Sequence, residues 1–212
     1  MDYRTKPSPR RQPELREEDV DPNPFTQFGR WFEQAQAAGL VEPTAMTLAT
    51  AAREGVPSAR MVLLKGYDER GFVFFTNYQS PKARDLIDNP RAALVFWWGA
   101  LERQLRITGT VSRVPERESD DYFDSRPLGS RLGAVASRQS EVLASRAELE
   151  RKVRELSDRY RDGRVPRPAH WGGFRLAPTA IGFWQGREDR LHDRLRYTKR
   201  EDGSWKIERL SP

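Results

Sequence analysis

Residues 44–76, TAMTLATAAREGVPSARMVLLKGYDERGFVFFT, decide the architecture. Strand-period patterning runs over 44–52, 56–65 and 72–76, and turn residues at Glu54-Gly55 and Glu69-Arg70-Gly71 separate the runs. That is the pattern of antiparallel hairpins. Working outward, further strands are read at 92–98, 103–114, 172–177, 180–185, 192–198 and 204–209, the last two joined across Asp202-Gly203. Upstream, Asn23-Pro24 offers an N-cap and a first-turn proline, after which Phe25, Phe28, Trp31, Phe32 and Ala35 recur at helical spacing until Gly39. Ser80-Pro81 opens a short helix with Ala83, Leu86 and Ile87, closed by Asn89-Pro90; more helix is read at 116–125, 130–136 and 145–160. Hairpin-linked strands on both sides of a helical insertion predict a mainly β, α+β fold: a closed antiparallel barrel with helices packed outside. Residues 1–22, rich in proline and in both charges, predict a mobile arm, and 23–212 a single domain.

The 212 residues carry a formal charge of +6 and a pI of about 9.8. This favours anionic partners without separating nucleic acid from phosphorylated metabolites. Mixed-sign runs such as Arg16-Glu17-Glu18-Asp19 and residues 148–161 leave no uninterrupted basic arm, which argues against nucleic acid. The absence of cysteine removes disulfides and thiolate chemistry, and two histidines, His170 and His192, give no metal-ligand spacing, so no metal is expected. No apolar run approaches a membrane span and the first residues hold no apolar signal core, so a soluble, cytoplasmic protein is expected.

Four places combine cations and hydroxyls in a way that suits phosphate. In Phe183-Trp184-Gln185-Gly186-Arg187-Glu188-Asp189-Arg190-Leu191-His192-Asp193-Arg194, a strand would put Arg190, His192 and Arg194 on one face. Such crowding of cations asks for an anionic or polar ligand, or belongs to a solvated sheet edge. In Arg60-Met61-Val62-Leu63-Leu64-Lys65, a cation stands at each end of an apolar strand; five apart, the two point to opposite faces, toward different anions or simply to solvent. Tyr122 and Arg126 are i and i+4 on one helical face that Pro127 should stop, and Ser130 is placed to cap the next helix, an arrangement suited to a phosphate monoester and equally to a capped turn. Lys82 lies at a helix start, where the dipole favours an anion, with Gln139-Ser140 further along; an anionic ligand or simple solvation resolves the conflict.

Together these residues resemble the pyridoxamine (pyridoxine) 5'-phosphate oxidase family from about Phe25 to Pro212. The strongest element is Phe183-Trp184-Gln185 followed after four residues by Arg190-Leu191-His192-Asp193-Arg194, supported by 60–65, Leu101-Glu102-Arg103-Gln104, Ser137-Arg138-Gln139-Ser140 and Trp171-Gly172-Gly173-Phe174-Arg175. The resemblance implies an FMN-binding split barrel working as a homodimer, with flavin held between subunits. It implies FMN contacts at Arg60, Met61, Val62, Leu63, Lys65, Phe75, Thr76, Lys82, Gln104, Gln139, Ser140, Trp184 and Arg194. The substrate phosphate would lie on Lys65, Tyr122, Arg126 and Ser130, and Arg190 and His192 would act over the ring of pyridoxamine 5'-phosphate or pyridoxine 5'-phosphate, with molecular oxygen as final acceptor. Three positions depart from the family pattern: Pro81 where arginine is frequent, Gly182 where an acid is usual, and Glu42 where aspartate is common. Two other readings are a related split-barrel flavoprotein acting on another substrate, such as a phenazine precursor, and a non-catalytic flavin- or nucleic-acid-binding module. The first leaves Lys65, Tyr122, Arg126 and Ser130 without a role.

Overall fold

The computed structural model describes residues 14–212. Nine strands form one antiparallel sheet: β1 (Ala45–Ala51), β2 (Pro57–Leu63), β3 (Gly66–Asp68), β4 (Gly71–Asn77), β5 (Arg91–Trp98), β6 (Arg103–Arg113), β7 (Trp171–Gln185), β8 (Asp193–Lys199) and β9 (Trp205–Arg209). The strand order is β2-β1-β5-β6-β7-β4-β3, with β8 and β9 continuing from β7. The two ends of that order are one piece of chain. Leu64 N donates to Thr44 O (2.9 Å) and the next amide, Lys65 N, to Val73 O (2.8 Å), so the segment leaves the edge beside β1 and joins the edge beside β4. The sheet thereby curls into a split barrel, with β8 and β9 branching from β7.

Five helices lie on this sheet: α1 (Pro24–Ala37), α2 (Pro81–Asp88), α3 (Glu116–Ser125), α4 (Leu128–Ala136) and α5 (Arg146–Arg159). The Asn23 side chain caps α1 by accepting from Phe25 N (2.9 Å), and Gly39 ends it with φ +69°, a conformation that costs glycine no Cβ clash. The aromatic face of α1 enters the barrel. Phe28 is fully buried and packs edge-on against Tyr67 (4.7 Å), Phe72 (5.0 Å) and Phe96 (5.5 Å), while Trp31 meets Phe183 (5.1 Å). Each such pair adds roughly 0.5–1.5 kcal/mol to the area it buries. No helix among the described residues is long and apolar enough to cross a membrane.

The structure differs from the sequence reading at definite points. The runs read as 172–177 and 180–185 are one fifteen-residue strand, β7. It passes Pro178 because the β6–β7 register shifts between Thr108 and Gly109, a bulge where the missing proline amide is not required. A Cβ on Gly109 would stand 2.1 Å from Ala177 O, which explains glycine there. Residues 14–22, expected in a mobile arm, pack on the sheet: Leu15 is buried, Leu15 N donates to Asp193 Oδ2 (3.1 Å) and Tyr197 Oη to Asp21 O (2.7 Å). The rest of the expected arm, residues 1–13, lies outside the described residues.

Phe28→Ala removes the ring on which five others converge. It should lower unfolding free energy by about 3–5 kcal/mol, read as a shift of the urea midpoint.

Candidate active site

A cavity of about 440 Å³ opens where β2, β4, α2, α3 and α4 meet. Met61, Val62 and Leu63 form one wall, Phe75 and Thr76 the floor from β4, and Lys65, Lys82, Tyr122, Arg126, Ser130 and Gln139 bring the polar groups. Lys82 is 9% exposed, and its Nζ reaches Gln139 Oε1 (2.8 Å), Thr76 Oγ1 (3.3 Å) and Ser80 Oγ (3.3 Å). All of its partners are neutral. Burial holds its pKa below the ordinary lysine value, with the nearby Arg60 charge adding to the effect. Arg60 itself bonds Thr50 Oγ1 (2.7 Å) and lies 3.8 Å from Asp85 on α2, and it does not line the cavity. The expectation that Arg60 and Lys65 alternate along one strand does not apply, because β2 ends at Leu63.

Lys65, Tyr122, Arg126 and Ser130 line the same cavity. Phe75, Tyr122 and Trp171 form an aromatic stack, with Phe75–Tyr122 at 4.1 Å and Phe75–Trp171 at 5.3 Å. The Arg126 guanidinium sits 4.7 Å over Trp171, burial depresses its pKa, and its Nη1 is buried without a hydrogen-bond partner. A buried guanidinium nitrogen without a partner is costly unless an anion meets it. Lys65 makes no side-chain hydrogen bond or ion pair among the described residues.

Two local expectations are corrected here. Arg126 is not on the Tyr122 helix face: α3 ends at Ser125 and Arg126 is extended (φ −76°, ψ 147°), because the residue before Pro127 is driven out of the helical region. Nor does Ser130 cap α4, which starts at Leu128 after Pro127; Ser130 is its third residue, with its own amide bonded to Pro127 O (2.9 Å). No side chain caps α4, so its first amides remain available to an anion beside Arg126.

The remaining expected residues lie elsewhere. Gln104, Trp184 and Arg194 occupy one row across β6, β7 and β8, and register extends the row to Trp97 on β5. Trp97 is 59% exposed and stands 5.9 Å from Trp184. The sequence reading did not single out Trp97; the signal was the Trp97-Trp98 pair, in which alternation must turn one ring outward. Trp184 also meets His192 at 4.6 Å. Arg190, His192 and Arg194 do not share a strand face, because β8 begins only at Asp193 and residues 188–190 form a 3-10 turn with Asp189 (φ 56°) and Arg190 (φ 62°) left-handed. His192 Nδ1 accepts from Arg187 N (3.1 Å), which leaves the proton of the neutral ring on Nε2. Ser140 is exposed, with φ 71°. None of Arg60, Gln104, Ser140, Trp184, Arg190, His192 or Arg194 lines the cavity within one chain.

Residues 32–160 match the family described as pyridoxamine 5'-phosphate oxidase, and residues 171–212 match the pyridoxine 5'-phosphate oxidase C-terminal dimerisation region. A pyridoxine/pyridoxamine 5'-phosphate oxidase of Nostoc sp. is 62% identical over 198 residues, covering 93% of this chain and 92% of the relative. One of Rubrobacter xylanophilus is 60% identical, covering 93% and 91%. Among solved structures, PhzG from Burkholderia lata in complex with tetrahydrophenazine-1-carboxylic acid superposes with a TM-score of 0.89 at 33% identity, over 95% of this chain and 99% of that one. With the split barrel and the relatives in agreement over nearly its whole length, the chain belongs to the pyridoxamine 5'-phosphate oxidase family.

Proposed function

We propose that the protein is an FMN-dependent oxidase converting pyridoxamine 5'-phosphate and pyridoxine 5'-phosphate to pyridoxal 5'-phosphate in a homodimer. One observation carries this reading: a single cavity is lined by three cations, Lys65, Lys82 and Arg126, with no carboxylate among its lining residues, and one Arg126 nitrogen is buried without a partner. Two phosphorylated ring molecules have that chemistry. The donor set fits FMN, with Lys82, Thr76 and Gln139 for its phosphate and the 61–63 wall and Phe75 for its rings. The redox chemistry is what FMN supplies when bound: acceptance of a hydride from the substrate C4' carbon and reoxidation by molecular oxygen to hydrogen peroxide.

The chain's own residues do the rest. Arg126, Lys65, the Tyr122 hydroxyl, Ser130 and the start of α4 grip the substrate phosphate, so remote binding energy is converted into orientation of C4'. Exposed Met61 (61%), Trp97 (59%) and Leu191 (70%) form the apolar surface that a second copy covers, and the match of 171–212 to a dimerisation region supports that pairing. In the dimer, Gln104, Trp184 and Arg194 of one copy, with Arg190 and His192, complete the cavity of the other. His192 Nε2–H then faces the substrate as a hydrogen-bond donor, and Arg190 holds the pyridine ring. Arg60 and Ser140 support the flavin phosphate from β2 and the 137–145 loop. An activity on an unphosphorylated phenazine precursor is disfavoured because it leaves the unpartnered Arg126 without a ligand.

The decisive experiment is anaerobic: the purified yellow protein should bleach on addition of pyridoxamine 5'-phosphate, and a persistent flavin spectrum would sink the reading. Arg126→Leu should raise KM for that substrate about tenfold to a hundredfold, the worth of a charged hydrogen bond, with bound FMN retained. Arg190→Ala and His192→Ala should keep FMN and lose most turnover; wild-type rates from both would remove them from the mechanism. Lys82→Met should weaken FMN at least about tenfold. Because burial depresses Lys82, its destabilising effect on flavin-free protein is full below its folded pKa and fades as pH rises toward the unfolded lysine value of about 10.4. Stability should therefore climb with pH over that window in the parent and lose that component of the slope in Lys82→Met.

A further inference from the structure

We propose that Asp193 is a positioning residue, through which residues 14–17 and Arg209 set the loop that carries Arg190 and His192; this rests on the function proposed above. Asp193 is the first residue of β8, opposite Gln185, and its side chain points away from the face on which Trp184 and Arg194 stand. There its carboxylate is held from three sides. Arg209 Nη1 donates to Oδ1 (2.8 Å), Leu15 N donates to Oδ2 (3.1 Å), and Arg187 Nε lies 3.6 Å from Oδ2. Arg209 is in turn fixed by a two-pronged bond to Glu17 (2.9 and 2.7 Å) and by Leu15 O (2.7 Å), and Arg187 Nη2 reaches Glu14 Oε1 (3.2 Å). The side chain of Leu15 is buried beneath this network.

The loop needs such a hold. Asp189 and Arg190 are consecutive non-glycine residues with φ of 56° and 62°, a conformation that persists only where the surroundings fix both ends. Arg187 and Asp193 are those ends. Arg187 connects the clamp directly to chemistry: its side chain is anchored on Asp193 and Glu14, while its amide donates to His192 Nδ1 and selects the Nε2–H tautomer. Fastening the rear of the loop thus sets the front, where His192 packs on Trp184.

The test compares Asp193→Asn, Arg209→Gln, the double variant and Glu17→Gln. Asp193→Asn and Arg209→Gln should each lower kcat about tenfold with KM for pyridoxamine 5'-phosphate and bound FMN unchanged, since the phosphate and flavin ends of the cavity are untouched. The double variant should be no worse than the poorer single one, as for residues acting as one unit. In flavin-free protein, the 15N shifts of His192 should show distinct Nδ1 and Nε2 in the parent and move toward averaging in both single variants. Glu17 is half-exposed, so its replacement cannot unfold the protein; a fall of about twofold in kcat is expected and decides the matter should Asp193→Asn fold poorly. Parent-like His192 shifts or parent-like kcat in the folded variants overturn the proposal, whatever happens to thermal stability. Failure of the parent to oxidise the substrate overturns the function instead, and leaves the His192 shifts as an independent reading of the clamp.

Discussion

Two consecutive amides, Leu64 and Lys65, donate to opposite edges of the same sheet, and the rest of the molecule is arranged around that junction. One segment, passing from β2 to β3, thus supplies the strand at each end of the order. The bend also has a chemical result. It ends the regular alternation of β2, so that Lys65 reaches the cavity while Arg60 remains beside α2 with Asp85. The apolar wall of Met61, Val62 and Leu63 lies between them, and α1 fills the barrel behind with Phe28 and Trp31.

Burying cations is expensive, and the chain treats them in two ways. Arg175 is matched by Asp68 (2.8 Å) and Glu118 (2.9 Å), joining β7 to β3 and α3. Arg103, also buried, lacks a carboxylate: it bonds Gln185 (2.8 Å) and Gln34 and lies 4.4 Å over Trp31, and burial pulls its pKa down to about 10. It still carries its charge at neutral pH. Its amide partners and the indole face consume the donors, so it is structural. Lys82, Lys65 and Arg126 differ because they line one cavity that holds no carboxylate. This contrast, more than the number of basic residues, is what separates the two groups of cations.

Much of the barrel was legible because strand and helix periods are local. The hairpins across Glu54-Gly55 and Asp202-Gly203, the capped aromatic helix α1, and the helices 116–125 and 145–160 appear within a residue or two of their expected places, whereas the strand read as 56–65 ends at Leu63 and the turn at Glu69-Arg70-Gly71 joins β4 to β3, a strand the sequence did not announce. Errors arose where a local rule met a longer-range constraint. Pro178 suggested a break in a strand that a bulge carries through. Alternation placed Arg190, His192 and Arg194 together, but the turn at Asp189–Arg190 takes the first two out of the strand. Residues 14–22 looked like a tail by composition, yet a single buried leucine and ion pairs to β8 and β9 hold them.

By itself, the sequence determined most element types, the core face of α1, the family, and which side chains are cations and hydroxyls, since each is written in spacing or in residue identity. Only the tertiary structure decided which of those cations share a cavity, which are neutralised by carboxylates, and which lie on a separate row with Trp97. The reason is that Lys82 with Gln139, Arg175 with Glu118, and Asp193 with Leu15 are 57, 57 and 178 residues apart. Periodicity states which side of an element a residue faces, and only the closing of the chain states what stands on that side.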